Sequence, residues 1–346
     1  MNLEHKVNYW TASIPGVPFT FKEQPEDFKV TEIPLYPPSG TGEHLYLSIE
    51  KTGLSTHDML NWICHSTGIA PVKIGIAGQK DKKATTIQNI TIHTSDESIL
   101  EHISSDKIKI LNVSRHSNKI KLGHLKGNQF EICLKNINPQ DFNFIEQTLQ
   151  LLSQKGLPNF FGEQRFGLYQ DNAERGKQIL LSQNNYYHNS KIRFLISAYQ
   201  SYLFNQALNK RLPHLDIIWQ GDLAYKHING ACFTVESSKQ EQPRADQFEI
   251  SPSGPIFGYK MSYPDGPEKE LEVSILQNEN LTLESLASIR NPYFKGARRP
   301  YRIPLQGLEY MYQENTLLLK FILPPGSYAT TLLREIGKEY YPASQN

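Results

Sequence analysis

The chain has 346 residues, 38% hydrophobic and 21% charged, a mixture that buries a core and excludes a disordered polymer. Its formal net charge of +1 provides no global field to draw in a polyanion, so any nucleic-acid surface has to be a local patch. Cys64, Cys133 and Cys232 are far apart and form no CxxC pair, and the 11 histidines show no ligand spacing, which argues against a disulfide framework and against a metal site.

In chain order, the opening MNLEHKVNYW lacks the basic and apolar regions of a signal peptide. No run of about 18 apolar residues follows it anywhere, so a membrane helix is not expected. A reducing, cytoplasmic setting is the expectation. FTFKEQPEDFKVTEIPL predicts two strands around Gln24, Pro25, Glu26 and Asp27. EHLYLSIEKTG predicts a further strand that stops at Gly53. The SxxD spacing of Ser55 and Asp58 is a capping box, and Gly68 a stop, so a helix is predicted over about 56–67. VKIGIAG and IQNITIHT predict strands on either side of a polar loop, QKDKKATT. KIKLGHL and QFEICLK predict two more strands.

Phe142, Ile145, Leu149 and Leu152 fall at helical spacing, which predicts a helix ending at Gly156. Beyond residue 157 the texture changes to a turn-rich aromatic segment, LPNFFGEQRFG, and helices near 172–183 and 190–211. Short strands and turns then run to about 302. LEYMYQ and NTLLLKFIL return to strands, and TTLLREIGKEY predicts a closing helix. The shifts near 157 and 302 predict a discontinuous domain, 1–156 with 303–346, and an inserted domain, 157–302.

The segment KIGIAGQKDKKATTIQ is the most informative stretch for chemistry. Asp81 sits among Lys80, Lys82 and Lys83, and neighbouring ammonium groups favour the charged carboxylate. Such an acid is a poor proton donor at neutral pH but a competent nucleophile or base. A solvated charged turn is the alternative reading of this segment taken alone.

Two stretches are basic. Residues 107–135 hold seven Lys or Arg against Glu131, and their KGNQF places Asn128 and Phe130 close together. An asparagine amide both donates and accepts, which suits the edge of a pyrimidine, while Phe130 suits either a stacking face or the core. NPYFKGARRPYR interleaves Lys295, Arg298, Arg299 and Arg302 with aromatic rings, as RNA-binding surfaces do; an ordinary basic loop is equally compatible. PEDF and PPGSY each set a ring, Phe28 and Tyr328, beside a turn, and Lys22 precedes Phe28 by six residues.

Taken together, these segments resemble the TruD family of tRNA pseudouridine synthases over almost the whole chain and in the same order. PEDFKVTE, GQKDKKATTIQ, KLGHLKGNQF, PNFFGEQRFG, SAYQSYLFNQ and LPPGSYATTLLRE all look like motifs of that family. The resemblance implies an α+β fold. A pseudouridine-synthase-type catalytic domain would have a mixed, mainly antiparallel sheet flanked by helices, with an inserted α/β TRUD domain.

The resemblance further implies that Asp81 is the catalytic aspartate and that Phe28, Asn128 and Tyr328 contact the target nucleotide. It places Lys22 near the aspartate and Phe130 close to the pocket. Lys80, Lys82, Lys83, Arg298 and Arg299 are expected on the RNA backbone. The partner is tRNA, modified at uridine 13, with no metal, organic cofactor or protein partner, and the chain is expected to act as a monomer. Tyr328 stands where the family more usually has Phe, and Thr85 where it has Val, so the pocket edge is expected to differ. A non-catalytic RNA-binding protein on the same scaffold is the first rival. A two-carboxylate hydrolase, with Glu26 or Asp27 near Asp81, is the second.

Overall fold

The computed structural model describes residues 7–182, 190–289 and 291–341. The first stretch forms β1 (Phe28–Pro34), β2 (His44–Thr52), α1 (Thr56–Thr67), β3 (Ile74–Ile76), β4 (Thr85–His93), α2 (Leu100–Ile103), β5 (Ile108–His116), β6 (Leu125–Leu134) and α3 (Phe142–Lys155). The middle contains β7 (Leu157–Pro158), α4 (Asn172–Leu181), α5 (Ser190–Arg211), β8 (Leu223–Lys226), β9 (Cys232–Thr234), α6 (Ser238–Asp246), β10 (Ile250–Ile256), α7 (Gly266–Asn278), α8 (Leu283–Ser288), β11 (Ala297–Pro300) and β12 (Arg302–Ile303). The chain closes with β13 (Gln306–Gln313), β14 (Thr316–Leu323) and α9 (Ala329–Gly337).

The large sheet runs β13-β14-β6-β1-β4-β2-β5, with β3 alongside β4. Its pairs are antiparallel except β1 with β4, which are parallel. The last two strands, from Gln306 onward, thus complete a sheet begun at Phe28. Residues 223–300 build a separate antiparallel sheet, β11-β10-β8-β9, and β7 pairs with β12 where the chain enters and leaves this middle portion.

Local signals account for the elements that position the cleft. Ser55 Oγ accepts the Asp58 N–H at 3.1 Å to start α1, and Gly68, at φ +70°, ends it. Gly156, at φ +90°, ends α3. Ile145, Leu149 and Leu152 of α3 pack with Leu332, Leu333 and Ile336 of α9 against inward residues of β1, β6 and β14. Met59 and Ile63 of α1 cover Leu45, Leu47, Ile90 and Ile92 of β2 and β4. Helices α4, α5 and α7 share a third core with Phe257 and Tyr301.

Two expected strands are absent. Residues 19–22 make only a bridge from Thr20 to Lys135, because Lys22 takes a left-handed φ of 58° that breaks the extended run. KIKLGHL turns at Gly123, φ +91°, whose N–H donates to Ala77 O at 2.8 Å, so β6 begins only at Leu125. The helix expected near 172–183 is α4, ending at Leu181; residue 183 lies outside the described residues.

Gly127 permits the close approach of β6 to β14, since a Cβ there would lie 2.7 Å from Leu323 O. Gly127→Ala is expected to cost about 1–3 kcal/mol, read as a lower urea midpoint; an unchanged midpoint would show that β14 gives way freely.

Candidate active site

The loop joining β3 to β4 is placed by what β4 pairs with. β3 lies against the second half of β4, Ile74 opposite Ile92, and β1 against the first half, Lys29 opposite Thr85. Residues 77–84 therefore cross from one neighbour to the other and pass the start of β1. Their backbone is clamped from below. The Lys80 N–H donates to Thr56 Oγ1, in the first turn of α1, at 2.8 Å. Lys51 Nζ, fully buried in β2, donates to Leu54 O at 2.5 Å and to Asp81 O at 3.1 Å. Burial lowers the Lys51 pKa to about 8, and the Asp81 charge only partly offsets it.

Above this clamp the Asp81 carboxylate is 42% exposed and lies 3.8 Å from Lys22 Nζ. The Lys22 ammonium also sits 4.1 Å from the Phe28 ring centre, a cation–π contact that holds it in place. Burial lowers the Lys22 pKa, and Asp81 acts against that shift. The cation close to the acid is thus Lys22, from outside the loop. Lys82 and Lys83 are exposed. Lys80 corrects the expectation of a backbone-binding lysine: its side chain is 6% exposed, with Nζ 3.3 Å from Glu32 Oε2 and bonded to Asn128 Oδ1. A buried carboxylate outcompetes solvent for it.

Asp81, Phe28, Asn128, Phe130 and Tyr328 line one cleft of about 500 Å³, with Lys80, Gln79, Gln164, Arg165, Phe194, Ser327 and Thr330. Phe28 is almost wholly buried and edge-on to Phe130. Phe130 stacks on Phe321 at 5.4 Å and belongs to the core as well as to the wall. Tyr328 is the more accessible ring, set 6.1 Å from Phe161. Gly162 makes room for it, since a Cβ there would fall 2.9 Å from Tyr328 Cδ1. Asp81 is the only acid among the lining residues. Asp27 is tied to Lys135 at 2.8 Å, and Glu26 borders a different depression, so a two-carboxylate site is not assembled from the expected residues.

The model of the tRNA pseudouridine synthase D (TruD) family matches residues 4–190 and 185–336. The chain is 35% identical to tRNA pseudouridine synthase D of Geobacter sulfurreducens over 97% of this chain and 98% of that protein. It is 39% identical to tRNA pseudouridine synthase D of Thermus thermophilus over 95% and 92%. The chain belongs to the TruD family. Its fold matches the crystal structure of the putative TruD of Methanosarcina mazei, with a TM-score of 0.79 at 24% identity over 98% of each chain. It is therefore an isomerase of the pseudouridine synthase type, and the mixed sheet flanked by helices is the family fold.

In this TruD chain a second cleft, of about 450 Å³, shares Arg165 and Ser327 with the first. Lys126, Arg298 and Arg299 also line it, with no acid. Arg298 is a correction: its guanidinium is 5% exposed and bound to the buried Glu272 at 2.7 Å, so its charge serves the core. Phe294, Tyr301 and Arg302 of the same segment are buried as well. The Tyr301 hydroxyl donates to Glu268 at 2.6 Å, and Arg302 donates to Lys155 O and Ala245 O, both at 2.7 Å. Arg299 donates to Asn159 Oδ1 at 2.5 Å and Gly326 O at 2.9 Å, with the Phe161 ring 4.2 Å away.

In the 107–135 stretch, Arg115 is paired with Glu97 and Lys135 with Asp27, while Lys126 is exposed at the second cleft. Among the described residues no group of His, Cys, Asp and Glu is arranged to hold a metal, and no helix is long and apolar enough to cross a membrane. Glu32, Lys51 and Arg165 are not among the expected site residues. Glu32 and Lys51 each had a signal: an acid following Phe28 and Val30, and a lysine following Leu45, Leu47 and Ile49, on alternating rows.

The depressed Lys51 pKa has a measurable sign. Between about 8 and 10.5 the unfolded chain holds the proton more tightly, so stability rises with pH across that window. The stability of wild type minus that of Lys51→Met is expected to grow by about 3 kcal/mol over this range, read from urea unfolding at several pH values. A flat difference would show that Lys51 keeps its ordinary affinity for a proton.

Proposed function

We propose that this TruD-family enzyme converts uridine to pseudouridine in tRNA, at position 13, with the Asp81 carboxylate opening the reaction and no metal or organic cofactor taking part. The observation that carries this reading is the single cleft in which a lone acid faces the Asn128 amide and the Tyr328 ring. The reaction breaks the N1–C1′ bond, forms a C5–C1′ bond, releases the C5 proton and leaves a proton on N1. It is neutral in mass and in redox state and needs no group donor.

The target base is first drawn from its stack, which costs a few kcal/mol. Stacking on Tyr328 returns about 1–3 kcal/mol, and Asn128 reads the base edge. Lys22 Nζ, 3.8 Å away, sets a positive charge beside the acid. Phosphates flanking the target are met by Arg165 and Arg299 along the second cleft and by Lys82 and Lys83 at the loop. The enzyme acts in the cytoplasm as a monomer, with residues 157–302 as the inserted domain and 1–156 with 303–346 as the catalytic one.

Asp81→Asn keeps the shape of the side chain and removes its nucleophilicity. It is expected to bind tRNA as wild type does and to release no tritium from tRNA carrying 5-tritiated uridine. Wild-type turnover by this variant would remove Asp81 from the chemistry. A wild-type protein that forms no pseudouridine would favour a non-catalytic RNA-binding role. Prolonged dialysis against a chelator is expected to leave turnover unchanged, and loss restored by a divalent cation would overturn the metal-free reading.

A further inference from the structure

The reaction as described makes no use of the buried contacts that join Glu32, Lys80 and Asn128. Glu32 lies on the inward row of β1 with Phe28 and Val30 and directly opposite Asn128 of β6. Its carboxylate is 1% exposed. Oε1 accepts the Asn89 N–H at 3.3 Å, and Oε2 is 3.3 Å from Lys80 Nζ. The same ammonium donates to Asn128 Oδ1.

An ammonium carries donors only. The Asn128 atom facing it therefore has to be the oxygen, since the flipped amide would set N–H against N–H across a nearly dry contact. With its oxygen engaged, Asn128 offers the cleft an amide N–H₂. Uracil presents carbonyl oxygens, which accept from such a group, whereas an amino group at the same place does not.

We propose that Lys80, anchored by Glu32, is the positioning residue that locks the Asn128 amide with its N–H₂ toward the target base, so that the site accepts a carbonyl oxygen there. This rests on the reading that Asn128 meets the base. Lys80 precedes Asp81 in the chain, so the loop that presents the acid also sets the amide, and the two are in register by covalent geometry.

A double-mutant cycle tests it, with single-turnover pseudouridine formation and tRNA affinity measured on wild type, Lys80→Met, Asn128→Ala and the double variant. Lys80→Met is expected to slow the reaction about tenfold or more, with tRNA affinity little changed, and to cost under about twofold in the Asn128→Ala background, because coupled residues are non-additive. Lys80→Arg retains a donor-only cation able to pair with Glu32 and is expected to stay within a few-fold of wild type. If Lys80→Met fails to fold around an unpaired Glu32, Glu32→Gln/Lys80→Met removes both charges together and takes its place in the cycle.

Full-rate turnover by the Lys80 variant, or the same factor lost with and without the Asn128 amide, overturns the positioning role and leaves the base contact standing. Full-rate turnover by Asn128→Ala overturns both.

Discussion

The parallel contact between β1 and the first half of β4 is the constraint on which the cleft depends. It occupies the middle of a sheet whose other pairs are antiparallel, and it is confined to the first half of β4 because β3 covers the second half. The chain between β3 and β4 must then cross the start of β1, and Asp81 arrives beside Lys22 and Phe28. Their ion pair, at 3.8 Å with the carboxylate 42% exposed, is too solvated to do the placing itself. The sheet register sets the position, and the ion pair adds a neighbouring positive charge to a group already in place.

The loop is then fixed by groups that cores usually exclude. Lys51 and Lys80 are buried ammoniums, and Glu32 is a buried carboxylate. Desolvating each costs several kcal/mol before any partner is counted, so as packing elements they are poor choices. Each contacts the site in a way an apolar side chain could not. Lys51 donates to the carbonyl of Asp81 itself, and Lys80 spans Glu32 and Asn128. A preorganised site of this kind trades stability for fixed dipoles.

Much of this was legible in the sequence where the signal is local. The Ser55 and Asp58 capping box, the stops at Gly68 and Gly156, and the apolar spacing of α3 all lie within one element, and the structure follows them. The motif segments around Asp81, Asn128 and Tyr328 were separate in the chain and meet in the cleft. What could not be read was the destination of long cationic side chains. Lys80 looks like its neighbours Lys82 and Lys83 in sequence, but its partner, Glu32, comes from another strand. Arg298 sits in a basic, aromatic segment that suggests an RNA surface, yet it answers Glu272, which lies on α7. Glu32 and Lys51 were visible as charges interrupting alternating apolar rows, a pattern that marks a buried ion before its partner is known.

That sorting of cations also explains how a chain of net charge +1 keeps guanidinium charge along its clefts. Arg211 is held by Asp222 and Glu268, and Arg298 by Glu272, so these charges cancel inside the protein. The other guanidiniums along the clefts, those of Arg165 and Arg299, are held differently. Arg165 donates to the hydroxyls of Ser197 and Ser201 at 3.0 and 3.3 Å, and Arg299 to carbonyl and amide oxygens. Burial lowers the Arg299 pKa to about 10, which still leaves it charged at neutral pH. Neutral acceptors orient a guanidinium without cancelling its charge, so Arg165 and Arg299 stay uncompensated by these partners while the whole-molecule sum stays near zero. Attraction of this kind reaches only about 10 Å at physiological salt, so these charges act on an anion that is already near the clefts.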